Sequence, residues 1–340
     1  MKRQVSNTPT RIDLAGGTLD IWPLNMLVDR ALTVNVAVDL WATTTLEELP
    51  ASAPRRRVEV RSEDQGVEEV WDSSVQPPAT TKVPLIAECV RFFEPERPLR
   101  IATRCAAPAG AGLGGSSSLA LSMLGGLQAF LNRPMMPPDE MVRVARDLEA
   151  RVLGVPTGTQ DHFAAAYGGV AAIRFGPGRP IREALALDLE QLDARLVLAY
   201  GGASRASAMA NWDMMRRAIE NEGTTRAGLQ SIATIAREMR GALIAQDLDA
   251  VGALMEREWE ERQKLSPKVT TPVLDKAIAA GRAAGALAGK VCGAGGGGCI
   301  AFVCRAGARE KVKAALNALS SDGVRVLAAR PTRLGLHMTG

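Results

Sequence analysis

Cysteine and histidine are scarce in this 340-residue chain, which has five cysteines, no Cys-x-x-Cys pair and only two histidines. That set supplies no zinc constellation of recognised spacing and no even disulfide framework, so reduced thiols and a cytoplasmic setting are expected. Long apolar runs are missing as well. The stretches 119–131 and 277–288 fall short of the roughly 18 apolar residues of a membrane span, and Arg282 breaks the second. No apolar leader follows Lys2 and Arg3, so neither export nor membrane insertion is expected. Charge of one sign is also absent: 41 Lys and Arg against 37 Asp and Glu leave a net +4. Binding driven by neutralising nucleic-acid phosphates is thereby excluded. The expected partner is a small molecule, and the expected assembly a monomer or homodimer.

What is present is an ordinary globular balance, 46% apolar and 23% charged, with 33 glycines. The length implies two domains at about 150 residues each. Arg11–Leu14 and the Val- and Thr-rich 32–45 alternate as strands. Residues 46–82, with four prolines and Arg55, Arg56 and Arg57, read as exposed hairpins and loops. Leu99–Cys105 is a further strand, followed by a glycine cluster and a helix over 116–132. Asp139 is an expected N-cap for a helix bearing Met141, Val144, Ala145, Leu148 and Val152 on one face, with Glu149 at its edge. A boundary is expected near Gly176-Pro177-Gly178, dividing the chain into 1–180 and 181–340. After it come a strand at 196–200, helices through 205–286 and closing strands near 287–291, 300–304, 324–328 and 334–338, with a helix near 307–319. The predicted class is mixed α/β in two lobes.

Pro108-Ala-Gly-Ala-Gly-Leu-Gly-Gly-Ser-Ser-Ser118 places a glycine loop and three serines at a helix start. Bare amides and the positive end of the helix dipole converge there, a setting for phosphate; a tight strand-to-helix turn with serine caps is the plainer alternative. A Walker loop is excluded, since no lysine follows Gly115. Gly110-x-Gly112-x-x-Gly115 and Gly293-x-Gly295-x-x-Gly298 both fit the dinucleotide fingerprint, but a second helix stands where that fold needs a strand ending in an acid.

Three motifs carry a resemblance: Thr8-Pro-Thr-Arg-Ile-Asp-Leu-Ala-Gly-Gly-Thr-Leu-Asp20, the serine loop, and Lys290-Val-Cys-Gly-Ala-Gly-Gly-Gly-Gly-Cys299. In this order they resemble the GHMP kinase superfamily of galactokinase, homoserine kinase and mevalonate kinase. Arg11 and the Gly-Gly-x-x-Asp ending are similar to the sugar kinases. Thr159–Gly169 and Tyr200–Ser207 are similar to segments of heptose 7-phosphate kinases. The resemblance implies an ATP- and Mg²⁺-dependent kinase acting on a sugar or sugar phosphate, with an N-terminal ATP-binding domain and the site between two lobes. A D-glycero-D-manno-heptose 7-phosphate 1-kinase is the leading expectation. A kinase for free galactose- or fucose-type sugars is one alternative, and a catalytically silent sugar sensor is another.

The implied roles agree with what phosphoryl transfer requires, which is charge neutralisation and positioning. Pro108, Gly110, Ala111, Gly112, Leu113, Gly114, Gly115, Ser116 and Ser117 would hold ATP. Ser116 and Glu149 would hold Mg²⁺, a hard cation suited to oxygen. Asp161 would orient or deprotonate the acceptor hydroxyl, and Arg11 would stabilise charge on the moving phosphoryl group. Gly17, Thr18, Asp20, Gly295 and Gly296 would contact the acceptor, and Arg205 would grip an acceptor phosphate. Rival readings make Arg11 a surface ion-pair partner, Glu149 a solvated helix residue and Asp161 a helix cap. Asp13 and Asp20 both have a rival reading as turn residues, which is the expectation for Asp13, and His162 is expected in a structural role. Three departures from the pattern stand out: Gly115 where relatives often carry Ser or Thr, two glycines in the first motif where heptose kinases have three, and Gln160 inserted before Asp161 relative to mevalonate kinases.

Overall fold

The protein is described by a computed structural model over residues 2–74, 80–202 and 207–339. Its first half runs β1 (Arg3–Ala15), β2 (Leu32–Glu48), β3 (Arg57–Ser62), β4 (Val67–Asp72), α1 (Pro84–Phe93), β5 (Leu99–Cys105), α2 (Gly115–Phe130), α3 (Pro138–Leu153), α4 (Gln160–Tyr167), β6 (Val170–Arg174) and β7 (Ile181–Leu185). Then follow α5 (Leu189–Asp193), β8 (Leu196–Tyr200), α6 (Ser207–Ile219), α7 (Thr225–Ile244), α8 (Leu248–Leu265), α9 (Pro272–Ala283), β9 (Ala286–Val291), β10 (Cys299–Cys304), α10 (Arg309–Asn317), β11 (Arg325–Leu327) and β12 (His337–Met338).

The strands form two sheets. One has the order β12-β1-β2-β5-β3-β4, with β6 pairing β2 and β7 pairing β6; the other is β11-β8-β10-β9. β2 joins the parts of the first sheet, because Leu32–Val36 pair with β6 while Ala42–Glu48 pair with β5. Its burial follows this division: Leu32 to Val38 are covered on both faces, and burial alternates from Asp39 onward. A strand sandwiched on both sides reads as a continuous apolar run, and one half in water alternates.

α2 packs on β1, and small residues let it approach. A Cβ on Gly126 would sit 2.7 Å from Ser6 Oγ, while Ser6, Thr8 and Ser118 bind across this contact through hydroxyl-to-carbonyl bonds. One apolar core joins the sheets, combining Ile12, Leu14, Val34 and Val36 with Leu198, Ala301 and Val303 under Met239, Leu243 and Met255 of α7 and α8. No helix among the described residues is long and apolar enough to cross a membrane, and all five cysteines are free.

Three expectations are corrected. The cap of α3 is Pro137, so Asp139 lies inside the helix, where its charge complements the dipole. The expected last strand, 334–338, is reduced to His337–Met338, which returns to pair with β1. Asp13 is in no turn: it lies inside β1, 1% exposed.

Phe302 is fully buried, and its ring packs where a Cβ on Gly281 would come within 2.5 Å. Alanine ordinarily stabilises a helix interior relative to glycine, by about 1 kcal/mol. Here the aromatic ring reverses the sign, and Gly281→Ala is expected to cost about 1–3 kcal/mol in urea denaturation.

Candidate active site

The glycine loop between β5 and α2 lines a cleft of 440 Å³ from Pro108 to Ser117, with Glu149 and Asp161 in the same wall. Gly110, Gly112 and Gly114 have φ of 69°, 73° and 73°, a region that favours glycine. No side chain caps α2, so its first amides stay available to an anion. The three serines separate by function. Ser116 is exposed to the cleft, Ser117 Oγ donates to Glu149 Oε2 at 2.9 Å, and Ser118 Oγ donates to the Pro9 carbonyl. The plain reading of serine caps therefore fails.

Gly112 presses on the third motif: a Cβ there would lie 2.3 Å from the Cys292 carbonyl oxygen, and one on Gly298 would lie 2.7 Å from that of Ala111. The Cys299 amide donates to Ala111 at 2.8 Å. The second glycine cluster thus clasps the first, backbone to backbone. Gly293 and Ala294 line an adjoining cleft of 260 Å³, whereas Gly295 and Gly296 lie against the 266–270 turn, the Gly296 amide donating to the Val269 carbonyl.

Asp161 enters on the first turn of α4, where the helix dipole favours a carboxylate. Arg11 Nε and Nη2 both reach its Oδ1, at 2.7 and 2.6 Å, and Arg11 Nη1 donates to the Gly112 carbonyl at 2.6 Å. A buried strand arginine therefore ties the carboxylate to the glycine loop. Burial pushes the Asp161 carboxyl above its ordinary value, against the pull of Arg11 and His162.

Asp20 is 5% exposed, and its Oδ2 accepts from the amides of Thr159 and Gln160 at 2.7 and 3.0 Å, capping α4 from a distant loop. Burial, with Asp161 adding to it, raises its carboxyl to about 6. Glu149 is buried in α3, so the solvated reading falls. Burial pushes its carboxyl up, but His162 Nε2 at 3.2 Å and the hydroxyls of Ser116 and Ser117 outweigh that and hold it low. An ionised carboxylate beside a cleft-facing hydroxyl is a donor set that fits a hard divalent cation.

Gly17, Thr18 and Asp20 line the 260 Å³ cleft with Arg11, Asp161 and Glu149. Arg205 lies outside the described residues. Sequence reasoning missed the charges beneath this cleft. Lys290 Nζ lies 3.2 Å from Asp13 Oδ2 and 3.0 Å from Glu258 Oε2, and Arg262 Nη1 lies 3.4 Å from the same Asp13 oxygen. Lys290 stood in the third motif, but nothing in the helical pattern of α8 separated Glu258 and Arg262 from its solvated charges.

With this geometry established, family comparison gives the class. The GHMP kinases N terminal domain matches residues 84–169 and the GHMP kinases C terminal family residues 239–322, together half of the chain. The chain belongs to the GHMP kinases, with their two-lobe fold, and is an ATP-dependent phosphotransferase. It is similar to a D-glycero-alpha-D-manno-heptose 7-phosphate kinase of Campylobacter jejuni, 26% identical over 314 residues and covering 89% of both chains. A crystal structure of a D-glycero-D-manno-heptose 1-phosphate kinase from Bacteriodes thetaiotaomicron superposes with TM-score 0.78 at 26% identity, over 99% of both chains. Lactococcus lactis galactokinase, solved with galactose, superposes with TM-score 0.78 over 99% of this chain and 95% of that one; at 17% identity this is a likeness of fold.

A base must be ionised to accept a proton, so a raised carboxyl loses activity earlier on acidification. With Asp161 as the base, kcat/KM is expected to fall on the acid side above the ordinary carboxylate value of about 4. The Asp20 carboxyl at about 6 should contribute one step, which Asp20→Asn removes from the pH profile.

Proposed function

We propose that this kinase transfers the γ-phosphoryl group of ATP to a hydroxyl of a sugar phosphate, with heptose 7-phosphate as the leading acceptor and its anomeric hydroxyl as nucleophile. Residues 1–180 would form the ATP-binding lobe and 181–340 the second lobe. The observation that carries the reading is the placement of Asp161 directly against the uncapped start of α2, its Oδ2 3.0 Å from where a Gly114 Cβ would be. A phosphate held by the loop amides and a hydroxyl held at Asp161 then meet in one cleft. Little else is asked of the protein, because phosphoryl transfer depends on positioning and charge.

In this reading the acceptor oxygen attacks the γ-phosphorus as the bond to the β–γ bridging oxygen breaks, and ADP leaves. Asp161 takes the hydroxyl proton. Arg11, fixed between Asp161 and Gly112, aims the carboxylate and supplies positive charge near the transferred group. Ser116 and Glu149 would hold Mg²⁺, which when bound neutralises phosphate charge. Asp20 accepts sugar hydroxyls, and Gly17 and Thr18 form the rest of that wall. Arg205 remains a proposed acceptor contact, whereas Gly295 and Gly296, packed against the 266–270 turn, leave that part of the wall to Gly293 and Ala294. A free-sugar acceptor is the second reading. It is favoured by the commitment of both described arginines of the acceptor-side cleft, Arg11 and Arg262, to carboxylates.

An ADP-release screen over heptose 7-phosphate, free heptose, galactose and fucose decides between them. Preferred turnover of heptose 7-phosphate supports the first reading, and release with free sugars alone supports the second. Asp161→Asn should lower kcat by about 10²-fold or more, the scale of lost general-base catalysis, with ATP binding by calorimetry retained. Wild-type turnover in that variant would remove Asp161 from the mechanism.

A further inference from the structure

Thr18 sits in the acceptor turn with φ of 81°, a region a β-branched residue enters only when its surroundings hold it there. The surroundings are unusual. Immediately beneath the turn lie Asp13, Glu258, Lys290 and Arg262, two anions and two cations that are each at most 4% exposed. Lys290 Nζ is the tight centre, with both carboxylates within 3.2 Å. Arg262 is the looser member, with Nη1 3.4 Å from Asp13 and Nε 3.9 Å from Glu258. Its remaining terminal nitrogen, Nη2, donates to Thr18 Oγ1 at 3.1 Å. The turn rests directly on this network, since a Cβ on Gly17 would meet Asp13 Oδ2 at 2.2 Å and Arg262 Nη1 at 3.3 Å.

We propose that Arg262 is a positioning residue for the acceptor: from α8 it holds Thr18 in its left-handed conformation, and so fixes the Gly16–Asp20 turn that faces the sugar. The proposal rests on the sugar-kinase reading of the cleft. Its chemistry needs arginine. Two terminal donors of one planar fork, Nη1 and Nη2, reach oxygens on β1 and on the turn at the same time, a geometry a lysine ammonium does not reproduce even though it keeps the charge. The hold also spans the molecule, because Asp13 and Thr18 come from its first 20 residues whereas Arg262 and Lys290 come from its second half.

The test uses the full chain, with heptose 7-phosphate and galactose as acceptors. Arg262→Lys should raise the KM of the turned-over acceptor about tenfold, the scale of one lost charged hydrogen bond, while the KM for ATP moves less than about twofold. Thr18→Gly placed in that background should recover most of the loss, because glycine adopts positive φ unaided. A purely structural role would not give that recovery. Thr18→Val leaves all four charges in place and should raise acceptor KM, and adding Arg262→Lys to it should raise KM little further, because both remove the same bond; a direct contact of Thr18 with the acceptor would instead give losses that multiply. An unchanged acceptor KM in Thr18→Val, or matched losses for ATP and acceptor with no recovery by Thr18→Gly, overturns the role. A wild type that phosphorylates neither sugar overturns the sugar-kinase reading and this inference with it; an active wild type with indifferent variants overturns the inference alone.

Discussion

The contact on which the site depends is made of backbone. Ala111 and Gly112 from the loop before α2 lie against Cys292, Gly293 and Gly298 from the loop between β9 and β10, so closely that a Cβ on Gly112, Gly293 or Gly298 would fall within 3 Å of the facing backbone. A side chain at any of these three glycines would push the two loops apart. Because the loops touch, the start of α2 is held still with its amides uncovered, and the Arg11 guanidinium can reach both the Gly112 carbonyl and Asp161. The glycine clusters are thus as much a joint as a cradle. Their positive φ values are the backbone conformations that such a joint requires.

Around that joint the buried carboxylates are driven apart in acidity by their neighbours. Asp20 is raised by burial and by the charge of Asp161, and Asp161 by burial with Glu149 adding to it. Asp13 and Glu149 are buried as deeply but are held low, the first by Lys290, Arg262 and Arg11, the second by His162 and two serine hydroxyls. Divergent acidity among close carboxylates marks a division of labour. Glu149 is held low beside the Ser117 hydroxyl, Asp161 is raised by burial at the start of α4, and Asp13 is held low between two cations. His162, fully buried between Glu149 and the α4 core, contributes to this pattern without touching the cleft.

The buried tetrad of Asp13, Lys290, Glu258 and Arg262 has a cost as well as a use. Well-packed apolar residues of like volume often stabilise as much as a buried ion pair does, so such groups are weak evidence for stability alone. Their placement under the acceptor turn, and their reach across both halves of the sequence, gives them a geometric role instead. Arg262 and Lys290 together neutralise the two buried carboxylates of Asp13 and Glu258.

The local sequence determined much of this protein. The glycine spacing and the serines belong to short stretches whose backbone demands are set by near neighbours in the chain, and they made a phosphate-binding turn and the loop–helix order legible; the kinase class and the acid at 161 were implied by the resemblance that the three motifs carry. The same is true of Glu149, whose place at the edge of an apolar stripe was visible even though its burial was not. Asp13 looked like a turn residue because polar strand residues usually face water; only the approach of β9 and α8, 245 or more positions away, supplies the cations that let it sit inside a strand. Arg262 was indistinguishable from the solvated charges of its helix, since a helical pattern reports which face is apolar and says nothing of which polar residue meets a distant carboxylate. Partners that far apart in sequence are fixed by packing, and packing is decided only when the whole chain has folded.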